Sequence, residues 1–145
     1  MSETLTERRA HDHRVVQELL DERRQLWSLL AALQRLQPFQ AGQSLDSQVR
    51  EFCQVLVDYI SLGHFEMYPR LTDVPERRER VQALANRLYP QFMQATDAAV
   101  DFNDTCEGLT GEALTQSLGP DLARLEEALS VRFALEDQLI GAMAD

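Results

Sequence analysis

Lysine is absent from this chain. All 14 of its bases are arginine, set against 24 acids, which leaves a net charge of −10 over 145 residues. Binding to a nucleic-acid backbone needs a basic footprint, and this balance argues against one. It permits a basic protein partner, whose encounter the acidic surface would steer. No apolar run approaches the ~18 residues that suggest a membrane span. The opening residues MSETLTERRAHDHRV contain no apolar stretch of the kind a signal peptide needs, so a cytoplasmic location is expected. Cysteine is scarce: Cys53 and Cys106 form no CxxC pair and are expected as free, partly buried thiols. Glu-x-x-His pairs, which di-metal helical bundles require, are missing. His11 and His13 stand two residues apart and point in different directions on a helix. No glycine-rich phosphate loop or nucleophile elbow occurs. No metal, cofactor or catalytic residue is therefore expected.

What the chain does have is helical periodicity. Val15, Val16, Leu19, Leu20, Leu26, Trp27, Leu30 and Leu33 define a first helix from about Leu5 to Gln37, punctuated by Pro38 and Gly42. Ser44 is placed to cap a second helix, Leu45 to Tyr68, with Asp46 in its first turn and Pro69 ending or kinking its last. Asp73-Val-Pro-Glu76 resembles a capping box ahead of a third helix. That helix carries Val81, Leu84, Ala85, Leu88, Phe92, Ala95, Ala99 and Phe102 on one side, with a kink expected at Pro90. Thr105 to Gly111 reads as a loop, and Glu112 to Leu118 as a short helical segment before Gly119-Pro120-Asp121. The last helix runs through Leu122, Leu125, Leu129, Phe133, Ile140 and Met143. The expected fold is all-α: an antiparallel up-down-up-down four-helix bundle over a single domain, residues 1–145.

The second helix holds the most informative residue. At roughly 100° per residue, Leu45, Val49, Phe52, Leu56, Tyr59, Gly63 and Met67 share one stripe, widened by Val55, Ile60 and Leu62. Phe65 falls on the opposite face with Gln54, Asp58 and Ser61. An aromatic there gains nothing from the domain's own core, and a partner that covered it would bury it. Asp58, Ser61 and Phe65 thus read as a docking face. Two charges fall inside apolar stripes: Arg23 among Leu19, Leu20, Leu26 and Leu30, and Glu136 among Leu129, Phe133 and Ile140. A buried charge persists only when paired, so Arg23 and Glu136 are expected to meet, with Tyr59 or His64 nearby. The pair either lines a polar pocket or only sets helix register. Gly63, also on the stripe, would let two helices approach closely.

The stretch Phe52-Cys-Gln-Val-Leu-Val-Asp-Tyr-Ile-Ser-Leu-Gly-His-Phe-Glu-Met-Tyr68 resembles the signature of the Rsd/AlgQ family. Arg132-Phe-Ala-Leu-Glu-Asp-Gln-Leu-Ile140 resembles that family's C-terminal signature. Tyr89-Pro90, Phe102-Asn-Asp104 and Glu22-Arg23 match as well. The resemblance implies a helical regulator, without catalysis, that binds region 4 of the primary sigma factor. Region 4 is a basic DNA-binding module that holds the −35 promoter element and the polymerase flap. An anti-sigma action follows, with no direct DNA binding, no membrane and a monomeric free state. Asp58 and Phe65 occupy motif positions, and the motif adds His64 and Tyr68 to the expected contacts. One departure stands in the first helix: Gln17-Glu18-Leu19 replaces the family's common Asp-Arg-Trp, so a glutamate takes an arginine's place. A diverged adaptor of the same fold, bound to another signalling protein, is the alternative. A small-molecule or metal sensor built on Arg23 and Glu136 is a third reading.

Overall fold

The structure is a computed structural model that describes residues 4–72 and 79–144. Five α-helices follow in order: α1, Leu5–Gln34; α2, Gln43–Leu62; α3, Tyr68–Thr72; α4, Glu79–Glu107; and α5, Gly111–Ala144. A single wide π turn, Gly63–Met67, joins α2 to α3. No strand occurs among the described residues.

The long helices run antiparallel to their neighbours. Arg23 meets Asp137, Trp27 meets Phe133 and Gln34 meets Glu126, so α5 descends step for step as α1 rises. Phe52 meets Phe102, while Tyr68 meets Phe92 and Tyr89, which sets α2–α3 antiparallel to α4. Three residues, 108–110, reverse the chain between α4 and α5, and Gly111 helps by adopting φ 61°, a left-handed conformation that glycine takes without strain. α1 packs on α2, closing the up-down-up-down bundle.

The expected stripes form the core. Leu19, Leu26, Leu30, Phe52, Leu56, Tyr59, Phe92 and Leu129 are all sequestered from solvent. Phe52 and Phe102 meet edge to face at 5.7 Å, the favoured arrangement for a buried aromatic pair. Cys53 and Cys106, distant in sequence, are neighbours across α2 and α4, and both are free.

Several local expectations are corrected. α1 starts with a capping box, Thr4 with Glu7: each side chain satisfies the other's backbone N–H at 3.1–3.2 Å. α2 begins at Gln43 on Gly42, which leaves Ser44 inside the first turn and not at the cap. Pro69 does not end the helical path. It lacks an N–H, and its ring crowds the carbonyl four residues back. The wide turn just before it, in which the Tyr68 N–H reaches the Gly63 carbonyl, lets the chain continue as α3. α4 runs through Pro90, which is exposed, and reaches Glu107, so the expected loop shrinks to 108–110. The short extra helix before the last does not exist as a separate element. α5 passes straight through Gly119-Pro120, because Leu114, Leu118, Leu122, Leu125 and Leu129 form one unbroken buried stripe across the proline. Burial of that stripe outweighs the ~3 kcal/mol penalty of an interior proline. The capping box expected at Asp73-Val-Pro-Glu76 lies outside the described residues.

Candidate functional site

The face expected to dock a partner is built by α1, α2 and the π turn. On α1, the spacing of Glu18, Asp21 and Glu22 puts all three carboxyls on one side. On α2, Asp58, Ser61 and Leu62 face them, and Phe65 and Glu66 follow from the turn. These eight residues line an open concavity of about 580 Å³. Five of the eight are acids and none is a base. The carboxyl of Glu22 is pushed up, first by partial burial and then by the charges of Asp58, Glu18 and Asp21. Such crowding of like charge is relieved by a cationic group.

Phe65 is 72% exposed, the most exposed large apolar side chain among the described residues. The His64 ring meets it edge-on at 4.8 Å. Asp58 is exposed and accepts a hydrogen bond from Gln54 Nε2 at 3.2 Å. The structure thus brings Asp58, Ser61, His64 and Phe65 together on one surface. Tyr68 is a correction. It is buried, its hydroxyl donates to the Ala85 carbonyl, and its ring packs on Tyr89 and Phe92. The extra residue in the π turn rotates the chain so that Tyr68 faces inward beside Met67 and Leu71. A helical wheel at constant pitch cannot show this.

A second constellation lies inside the bundle. Arg23, Tyr59 and Glu136 do come together. Glu136 is fully buried; its Oε2 accepts from the Tyr59 hydroxyl at 2.5 Å, and its Oε1 is 3.5 Å from Arg23 NH1. Arg23 is not buried as expected. It lies at the edge, 4.7 Å above the Phe133 ring, and its shorter ion pair is to exposed Asp137 at 2.8 Å. The axial offset that the Arg23–Glu136 pairing needs comes from the length of α5, whose first turns extend past the end of α1.

The residue that sequence reasoning missed is Arg132. It is fully buried, and none of its three guanidinium nitrogens has a hydrogen-bond acceptor among the described residues. Its Nε is 3.7 Å from Glu136 Oε2, and its guanidinium carbon lies 4.9 Å above the Tyr59 ring and 4.3 Å above the Phe92 ring. Desolvated cation–π contacts of this kind are worth ~2 kcal/mol. The signal was present: Leu125, Leu129, Arg132, Glu136 and Leu139 are spaced by four, three, four and three, one continuous helical stripe. Gly63 takes its meaning from the same residue. A Cβ there would stand 2.6 Å from Arg132 NH2, so glycine makes room for a guanidinium rather than for a neighbouring helix.

Burial pushes the Glu136 carboxyl up to about 7, against the pull of Arg132, the Tyr59 hydrogen bond and Arg23. The Tyr59 hydroxyl is held well above its ordinary value, first by burial and then by Glu136. Side chains of α1, α2, α4 and α5 all converge on this one carboxylate–guanidinium pair. Among the described residues no group of three or more histidine, cysteine or acidic side chains is placed to hold a metal. No described helix is long and apolar enough to cross a membrane.

The fold and this surface define an all-helical bundle whose distinguishing chemistry is an exposed face rather than a constellation of reactive groups. The chain belongs to the Rsd/AlgQ family, described as Regulator of RNA polymerase sigma(70) subunit, whose match spans residues 1–144. This is a family of regulators, not of enzymes. The chain is 36% identical to Regulator of sigma D from Enterobacter sp. (strain 638), over 99% of this chain and 88% of the relative. It is 32% identical to the Regulator of sigma D of Salmonella paratyphi B, over 99% of this chain and 90% of that one. No solved structure matches significantly.

Proposed function

We propose that this chain is a cytoplasmic anti-sigma regulator that binds region 4 of the primary sigma factor through the concavity around Phe65. It would thereby occlude the region 4 contacts with the −35 element and the polymerase flap. The observation that carries the reading is an exposed phenylalanine set among five carboxylates. A basic module such as region 4 would bury the aromatic and neutralise the crowded acids together. Family membership supports the same partner class. The acidic surface repels nucleic acid, so regulation would work by covering the DNA-binding module and not by competing for DNA. On this reading a single domain acts as a monomer when free.

Titration against isolated sigma region 4 tests the proposal. Phe65→Ala and Asp58→Ala should each weaken binding by about 1–3 kcal/mol, the range of interface anchors. Both side chains face solvent, so folding stability should change by no more than ~0.5 kcal/mol. Normal binding by either variant would refute this docking face. One observation favours a second reading. Glu18 lines the concavity at a position where the resemblance points to arginine, so one wall carries inverted charge. An adaptor for a different basic signalling protein would be built this way, and it would show as no binding to region 4 at any salt concentration.

A further inference from the structure

The buried guanidinium of Arg132 and the π turn meet at Gly63. The buried Arg132 guanidinium occupies the space where a side chain at residue 63 would stand. The chain leaves Gly63 through the π turn, with the Tyr68 N–H reaching back five residues to the Gly63 carbonyl. Phe65 leaves that turn outward, and Met67 and Tyr68 leave it inward. An ordinary helical turn here would hold one residue fewer. Every side chain beyond it would then be rotated by about 100° relative to α2. Phe65 and the buried Met67, Tyr68 and Leu71 could not all keep their present directions.

We infer that Arg132 is a positioning residue for the docking face: wedged against Gly63, it holds the π turn open and so lets Phe65 stay beside Asp58 and Ser61 while Tyr68 turns into the core. Arg132 reaches no solvent and no partner, and it acts through the backbone of residues 63–68. Stability alone does not explain its arrangement. A buried guanidinium with no hydrogen-bond acceptor is an expensive way to fill a core, and an apolar side chain of similar volume would pack there without the desolvation penalty. Its contacts suit a wedge. The rings of Tyr59 and Phe92 lie under the guanidinium, the Glu136 carboxylate sits beside its Nε, and NH2 lies 2.6 Å from where a Cβ of residue 63 would stand.

The inference rests on the proposed docking of Phe65, and a double-mutant cycle in binding tests it. Wild type, Arg132→Met, Phe65→Ala and the double variant are titrated against isolated sigma region 4, at a temperature where circular dichroism shows all four folded. Arg132→Met should weaken binding about tenfold when Phe65 is present and less than about twofold when it is alanine, because the two residues then act through one element. A residue that merely stabilised the bundle would shift both backgrounds equally or neither, and either result would overturn the inference. Should Arg132→Met fail to fold, Gly63→Ala, whose Cβ enters the guanidinium's space, is read in the same cycle by the same criterion. If wild type does not bind region 4 at all, the proposed function fails, and the positioning role is then read by NMR. Amide exchange at Tyr68 should quicken at least about tenfold in Arg132→Met while α1 and α5 stay protected. Unchanged exchange at Tyr68 would overturn it there too.

Discussion

Replacing Glu136 by alanine should destabilise the fold by about 3–5 kcal/mol, the cost of stranding a buried charge by removing its partner. Arg132 is the residue stranded. It is fully buried and, among the described residues, has no hydrogen-bond acceptor and pairs with Glu136 alone, at 3.7 Å. Arg23 loses less, because its shorter pair to Asp137 at 2.8 Å survives. The Tyr59 hydroxyl loses the acceptor at 2.5 Å, and an unsatisfied buried donor costs about 1–3 kcal/mol by itself. Against these losses, removing a carboxylate that burial disfavours returns part of its desolvation cost, which keeps the total within that range. Urea unfolding at pH 8, where the carboxylate is ionised, measures the effect. For a domain of this size the melting temperature should fall by roughly 6–20 °C. Pairing Glu136→Ala with Arg132→Met should recover much of the loss, since no buried charge then remains unpaired. A loss below ~1 kcal/mol, or a double variant no better than the single, would refute the picture of one coupled buried pair.

Stability should also depend on pH through the same carboxyl. Its folded-state value is raised to about 7 from an ordinary 4.5, so between those values the folded state binds a proton that the unfolded chain has released. The stabilisation is therefore full below about pH 4.5, lost as pH rises towards 7, and absent above; up to ~3 kcal/mol is at stake. Glu136→Gln, compared with wild type by unfolding from pH 4.5 to 8, should flatten that slope, and an unchanged slope would assign it elsewhere. Tyr68→Phe should lower stability by about 1 kcal/mol, by deleting the hydrogen bond to the Ala85 carbonyl, and should leave partner binding unchanged. Reduced binding with unchanged stability would return Tyr68 to the surface. Raising ionic strength should slow association with a basic partner more than it speeds dissociation, because the exposed carboxylates around Phe65 are screened beyond ~8 Å near physiological salt. Stopped-flow rates independent of salt would remove electrostatic steering from the proposed function.

How far the sequence reaches can be judged residue by residue. Periodicity alone set the helical class, the four core stripes and the outward face of Phe65, because these depend only on local pitch and on which side chains avoid water. It also brought Arg23, Tyr59 and Glu136 together, since a charge inside an apolar stripe must find a partner. The boundaries failed where local and tertiary preferences conflict. Gly119-Pro120 reads as a break, yet the leucine stripe of α5 is buried on both sides of it and carries the helix through. Tyr68 was misplaced because one added residue in the π turn changes the phase of everything after it. The turn begins at Gly63, beside the space filled by Arg132, which is 69 positions later in the chain and belongs to another helix. Pitch and polarity are properties of neighbours in sequence, so the chain determined its helices and its exposed aromatic by itself. The phase of Tyr68 against the core depends on which side chains meet across the bundle, and only the tertiary structure decided it.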